Sequence, residues 1–135
     1  MAVNLKDVRG MTDTMLAKLK EEGLGNAEKL LAAAGPAKER KELAKKLDID
    51  HRELLEVCNR IDLSRVKGVA GVYSDLLEKA GVDTVPELAQ RSAANLHKKI
   101  VEVNDAESLT KSAPSASDVE EWVAAAKGME RAIHY

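Results

Sequence analysis

Apolar residues recur along the chain at helical spacing. Leu54, Val57, Cys58 and Ile61 stand at i, i+3, i+4 and i+7, and Val119, Trp122, Val123 and Ala126 repeat that spacing. Met15, Leu16 and Leu19 form a shorter stripe, and Leu43, Ala44 and Leu47 another. No segment alternates β-branched and polar residues, so the pattern predicts an all-α fold. The stops and starts fit it. Thr12 caps a helix running to about Glu22, and Gly23 closes it. Asn26 and Thr84 open further helices, the latter within the capping-box sequence Thr84-Val-Pro-Glu87. Gly35-Pro36 separates a helix from the next one at Ala37–Leu47. Asp50 precedes Glu53 by three and opens the helix through Ile61, and Ser117 with Glu120 does the same before Trp122. Pro114 and four serines mark Asn104–Ser117 as the main loop.

The stripes belong to a longer internal repeat. A single shift carries Leu5, Val8, Arg9, Gly10 and Met11 onto Leu63, Val66, Lys67, Gly68 and Val69. Without a gap it then carries Met15 onto Tyr73, Leu19 onto Leu77, Gly23 onto Gly81, Leu24 onto Val82 and Leu30 onto Leu88. A slightly larger shift lays Leu54, Val57, Cys58 and Ile61 on Val119, Trp122, Val123 and Ala126. The extra residues of the second copy fall in the 104–117 loop. The expected architecture is therefore two pseudo-repeated helical units, about 1–62 and about 63–135, packed as a single domain over residues 1–135. Copies this short bury too little surface to stand alone, so the two are expected to share a core.

Composition narrows the function. There is one Trp, two Tyr and no Phe, too few rings for surfaces that stack bases or cage a quaternary ammonium. Lys plus Arg number 21 against 23 Asp plus Glu, a formal charge of −2, so a nucleic-acid contact needs a local basic patch. A single cysteine excludes an internal disulfide. Neither a signal peptide nor a membrane span is written into the sequence, and the expectation is a cytoplasmic protein without a membrane partner. His51, His97 and His134 lack ligand spacing, so no metal site is expected. Neither a phosphate-binding loop, a dinucleotide fingerprint nor a catalytic triad is present. We therefore expect no enzyme, no cofactor and no small-molecule substrate.

The candidate chemistry lies at two short segments, Val8-Arg9-Gly10-Met11-Thr12 and Val66-Lys67-Gly68-Val69-Ala70. Each ends one helix, turns at a glycine able to take positive φ, and launches another helix. The N–H groups freed at such a helix start are a natural phosphate site. On these residues the chain resembles the helix-hairpin-helix domains of DNA repair and recombination proteins: Val8, Gly10, Met11 and Leu19 match the pattern once, and Val66, Gly68, Val69 and Leu77 match it again. The two-copy arrangement is similar to a bacterial family described only as a domain of unknown function. That likeness rests on the hairpins, Lys41-Glu-Leu-Ala44, Ser74-Asp-Leu-Leu-Glu78, Gly81–Ala89 and the helix around Trp122. The helical units are also similar to the N-terminal domain of recombinases.

The resemblance implies weak, sequence-non-specific contact with the backbone of duplex DNA through Arg9, Gly10 and Thr12 in the first copy and Lys67, Gly68 and Ala70 in the second. Thr12 and Ala70 stand where the DNA-binding pattern has a second glycine, and a threonine there takes a helix-start donor for itself. The alternative expectation is a protein–protein interaction module that kept the fold and lost the phosphate site. The basic run Lys38, Arg40, Lys41, Lys45, Lys46 is interleaved with Glu39 and Glu42 and reads as a solvated helix face. Cys58 reads as a small buried hydrophobe, and Trp122 as core.

Overall fold

A computed structural model describes residues 4–69 and 71–134. Among them the structure is all-helical, with no strand. A 3-10 turn at Leu5–Asp7 is followed by α1 (Asp13–Glu21), α2 (Ala27–Ala34), α3 (Ala37–Leu47), α4 (His51–Ser64), α5 (Val72–Lys79), α6 (Val85–Ala89), α7 (Ala93–Glu107) and α8 (Ala116–Lys127). Not one of these helices is long and apolar enough to cross a membrane.

Side-chain caps fix the helix starts. Thr12 Oγ1 accepts from the Met15 N–H at 3.1 Å, and Asn26 Oδ1 from that of Lys29 at 2.8 Å. Asp50 Oδ1 accepts from Arg52 and Glu53 ahead of α4. At α8 the cap is Ser115 rather than the expected Ser117. Ser115 Oγ accepts from the Asp118 N–H at 3.1 Å while Asp118 Oδ2 accepts from the Ser115 N–H at 3.0 Å. That reciprocal box satisfies two helix-start donors at once, which Ser117 with Glu120 does not. The connecting loop is correspondingly shorter than the 104–117 expectation, because α7 continues to Glu107 and ends where Ser108 turns left-handed at φ 51°.

Packing divides the chain into two compact units, one of residues up to Asp62 joined by residues 131–134, the other of Leu63–Glu130. In the first, Leu5, Met15, Leu19, Leu30, Leu54, Val57 and Ile61 are buried in one cluster that also takes in Ile133. In the second, Leu63, Leu76, Leu77, Leu88, Leu96, Ile100 and Trp122 form the cluster, with α8 packed on α6 and α7. The glycine closures recur within each: Leu24 N–H reaches Leu19 O at 2.9 Å, and Val82 N–H reaches Leu77 O at 2.8 Å. These are the helix-ending bonds a C′ glycine permits.

The last segment of the chain is held in the first unit by Arg40. This residue does not lie on a solvated face as the basic run suggests; it is 1% exposed. Its guanidinium donates to the carbonyls of Ala34 (3.1 Å), Gly35 (2.8 Å) and His134 (3.1 Å), and its Nε donates to His51 Nε2 at 3.3 Å. The fork geometry of arginine is what lets one side chain satisfy the carbonyls at the end of α2 and the returning chain together. Gly35 N-terminal to this helix is required sterically, since a Cβ there would run into the Ala132 carbonyl. The remaining members of the run, Lys38, Lys41, Lys45 and Lys46, are exposed.

Candidate functional site

The first turn is built by two backbone bonds. Val8 N–H donates to Leu5 O at 3.2 Å and Met11 N–H to Val8 O at 3.0 Å. Gly10 between them takes φ 92°, a conformation costly to a residue with a side chain. Arg9, Gly10 and Thr12 are exposed together on this turn. Thr12 spends its hydroxyl on the Met15 N–H, so one of the donors at the start of α1 is already satisfied by the chain.

The second turn has the same bonds: Val66 N–H to Leu63 O at 3.1 Å, and Val69 N–H to Val66 O at 3.0 Å, with Gly68 at φ 88°. Lys67 and Gly68 are exposed side by side. Ala70 lies outside the described residues. Helix α5 starts at Val72 behind Gly71, which has φ 54° and provides no side-chain cap. The signal for this cap in the residue order is the glycine immediately after Ala70.

Behind each turn stands one side chain. A Cβ at Gly10 would meet Val57 Cγ2 at 3.6 Å, ordinary contact, whereas a Cβ at Gly68 would stand 3.1 Å from Trp122 Nε1. Trp122 is 4% exposed and its ring lies 5.5 Å from that of Tyr73, tilted by 48°, a favourable aromatic arrangement. Tyr73 is itself fixed by a hydroxyl bond to Ser112 O at 2.9 Å. Beside them opens a cleft of about 420 Å³, lined by Lys67, Gly68, Tyr73, Asp118, Glu121 and Trp122. Two carboxylates therefore share this cleft with a single ammonium.

A smaller groove of about 110 Å³ lies by the first turn, where Thr12, Thr14 and Lys18 meet Asp48, Asp50 and Glu53. Lys18 is drawn to the Asp48 carbonyl at 3.1 Å, and Asp50 is occupied as the cap of α4. Among the described residues no group of His, Cys, Asp and Glu is placed to hold a metal ion. Cys58 is fully buried, and burial pushes its thiol up to about 12, the field of Asp62 adding to it and that of Arg40 opposing. A thiol held protonated in this way is a core side chain without nucleophilic character.

A family model described as a domain of unknown function (DUF4332) matches residues 9–129. No curated protein matches the chain, and no solved structure does.

Proposed function

From the premise that the chain belongs to the DUF4332 family of unknown function, we propose that it is a non-enzymatic, cytoplasmic binding module of helix-hairpin-helix type whose turns at Gly10 and Gly68 contact a protein partner. The tandem reading is supported by the matched turns: positive-φ glycines between equivalent backbone bonds, each followed by a helix that ends on a second positive-φ glycine, Gly23 or Gly81. The observation that carries the choice of partner is the lining of the cleft at the second turn, where Asp118 and Glu121 accompany Lys67. A phosphate brought to this turn meets more negative than positive charge, and like charge at close range opposes binding. A peptide surface, with donors as well as acceptors, meets no such barrier.

Duplex DNA is the second reading, favoured by the exposure of Arg9 and Lys67 beside their glycines. A photo-crosslinking side chain placed at position 67, and separately at position 9, in the native host discriminates the two. A discrete protein adduct that the same group at exposed Lys111 does not give supports the protein reading. A nuclease-sensitive adduct at both turns supports DNA instead.

A further inference from the structure

The first unit holds an extended piece of its own chain as a peptide-binding protein holds a ligand. Residues 131–134 follow α8 and form no helix, yet they pack within the first unit. Ile133 is 1% exposed and belongs to the cluster that includes Leu30, Leu31 and Ala34, whereas Arg131 and His134 are exposed. Backbone bonds do the rest. His134 N–H donates to Gly35 O at 2.9 Å, and the buried Arg40 donates to His134 O at 3.1 Å. Gly35 has no side chain to obstruct the Ala132 carbonyl. One inserted aliphatic side chain with main-chain bonds around it is how extended peptides are recognised: the backbone supplies affinity and the pocket specificity. The segment is also displaceable. It has one buried anchor, and its internal bond, Arg131 Nε to Ile133 O at 2.7 Å, moves with it. Glu130 before it is held in the second unit, its carbonyl accepting from Arg65 at 2.8 Å. Beside residues 132–134 a cleft of about 390 Å³ stays open, walled by Glu28, Leu31, Ala32 and Pro36.

We propose that this groove at the α2–α3 junction is a docking site for an extended segment of a protein partner bearing a branched aliphatic residue, and that residues 131–134 close it as a built-in competitor. The partner's Ile or Val takes the place of Ile133, and the residue after it takes the bonds to Gly35 O and Arg40. A partner segment that continues past the anchor also covers Leu31, Ala32 and Pro36 in the open cleft, contacts that let it compete with the chain's own segment. A charged residue at the anchor position is rejected, because nothing in an apolar cluster repays its desolvation. The apparent affinity of the partner is lowered by the fraction of time the groove is closed. The site lies in the first unit and is independent of the reading of the hairpins.

The test uses the full chain, wild type and Ile133→Ser, which removes the anchor of the competitor. The probe is a fluorescein-labelled Gln-Ala-Ile-His amide, with Gln-Ala-Asp-His amide as its control, and anisotropy reads the binding. Ile133→Ser should bind the isoleucine peptide saturably at roughly 0.1–1 mM, as befits one anchor and a few backbone bonds. Wild type should bind about tenfold more weakly, and neither chain should bind the control. A second readout needs no variant: excess unlabelled isoleucine peptide should speed tryptic cleavage after Arg131 in wild type several-fold, followed by mass spectrometry. Equal binding of the two peptides, equal affinity in the two chains, or no saturable binding to an Ile133→Ser chain that is helical by circular dichroism overturns the site. Should that variant fail to fold, unchanged cleavage after Arg131 at saturating peptide overturns it. A wild-type dimer in sedimentation that Ile133→Ser abolishes would give the groove to a second copy of the chain and overturn the partner.

Discussion

Trp122 and Gly68 are fitted to each other: the indole Nε1 stands 3.1 Å from the point a Cβ on Gly68 would occupy. The glycine is thus required for its backbone angle, φ 88°, and for the room it leaves the ring. Gly10 has the same backbone requirement, φ 92°, but faces only Val57 Cγ2 at 3.6 Å.

This asymmetry sets the first prediction. Gly10→Ala should destabilise the protein by about 1–2 kcal/mol, the price of a left-handed alanine. Gly68→Ala should exceed that by about 1 kcal/mol, because the ring must also give way, and it should shift Trp122 emission. Denaturant unfolding followed by circular dichroism and by fluorescence measures both. Equal losses in the two variants, with emission unchanged, would contradict the packing described.

Arg40 carries the next. Replaced by Met, it removes the donors to the Ala34 and His134 carbonyls, while Gly35 O keeps the His134 N–H, a loss of roughly 2–6 kcal/mol for two carbonyls left unsatisfied. Residues 131–134 should then become sensitive to protease, read by mass spectrometry of limited digests. Lys38→Met on the same helix should change stability by under about 0.5 kcal/mol. A wild-type digestion pattern in Arg40→Met would show that the segment is held by other means.

The bond from Arg40 Nε to His51 Nε2 requires a neutral imidazole acceptor. Burial, then the positive fields of Arg40 and Lys41, lower the His51 pKa from its usual 6.5, with Asp50 opposing. The unfolded chain therefore binds the proton first as pH falls. Stability is full above about 6.5 and declines as pH drops from there toward the lower folded-state value, below which the dependence ends. His51→Gln should flatten this part of a stability–pH profile measured by urea unfolding; a profile identical to wild type would remove His51 as its source.

Cys58 should resist thiol reagents in the folded protein, since it is inaccessible and its thiol is held protonated. Alkylation at about pH 8 should proceed only as fast as the first unit opens, and fully in denaturant. Rapid labelling of the native chain would contradict this burial.

Helix stripes and glycine stops were readable from residue order because each depends on neighbours within a turn or two. Leu54, Val57, Cys58 and Ile61 and their counterparts on α8 are buried as their spacing requires. What the sequence did not display depends on partners far along the chain. Arg40 looks like any lysine-flanked surface cation until Gly35 and His134 bring their carbonyls to it. The close fit of Trp122 to Gly68 is likewise invisible until the fold brings α8 against the second turn. Ser115 was missed for a smaller reason: Ser117 offered a second candidate cap, and only the reciprocal bond with Asp118 decides between them.

The choice of a protein over a phosphate backbone is tested most directly by titrating a labelled random-sequence duplex with the full chain at about 50 mM and about 200 mM salt, alongside a variant carrying Arg9→Glu and Lys67→Glu. Our account expects no saturable binding at micromolar protein even in the lower salt, and no difference between wild type and variant. Saturable binding at low salt that falls by orders of magnitude at the higher salt, and that the folded double variant lacks, would contradict it and return the hairpins to DNA.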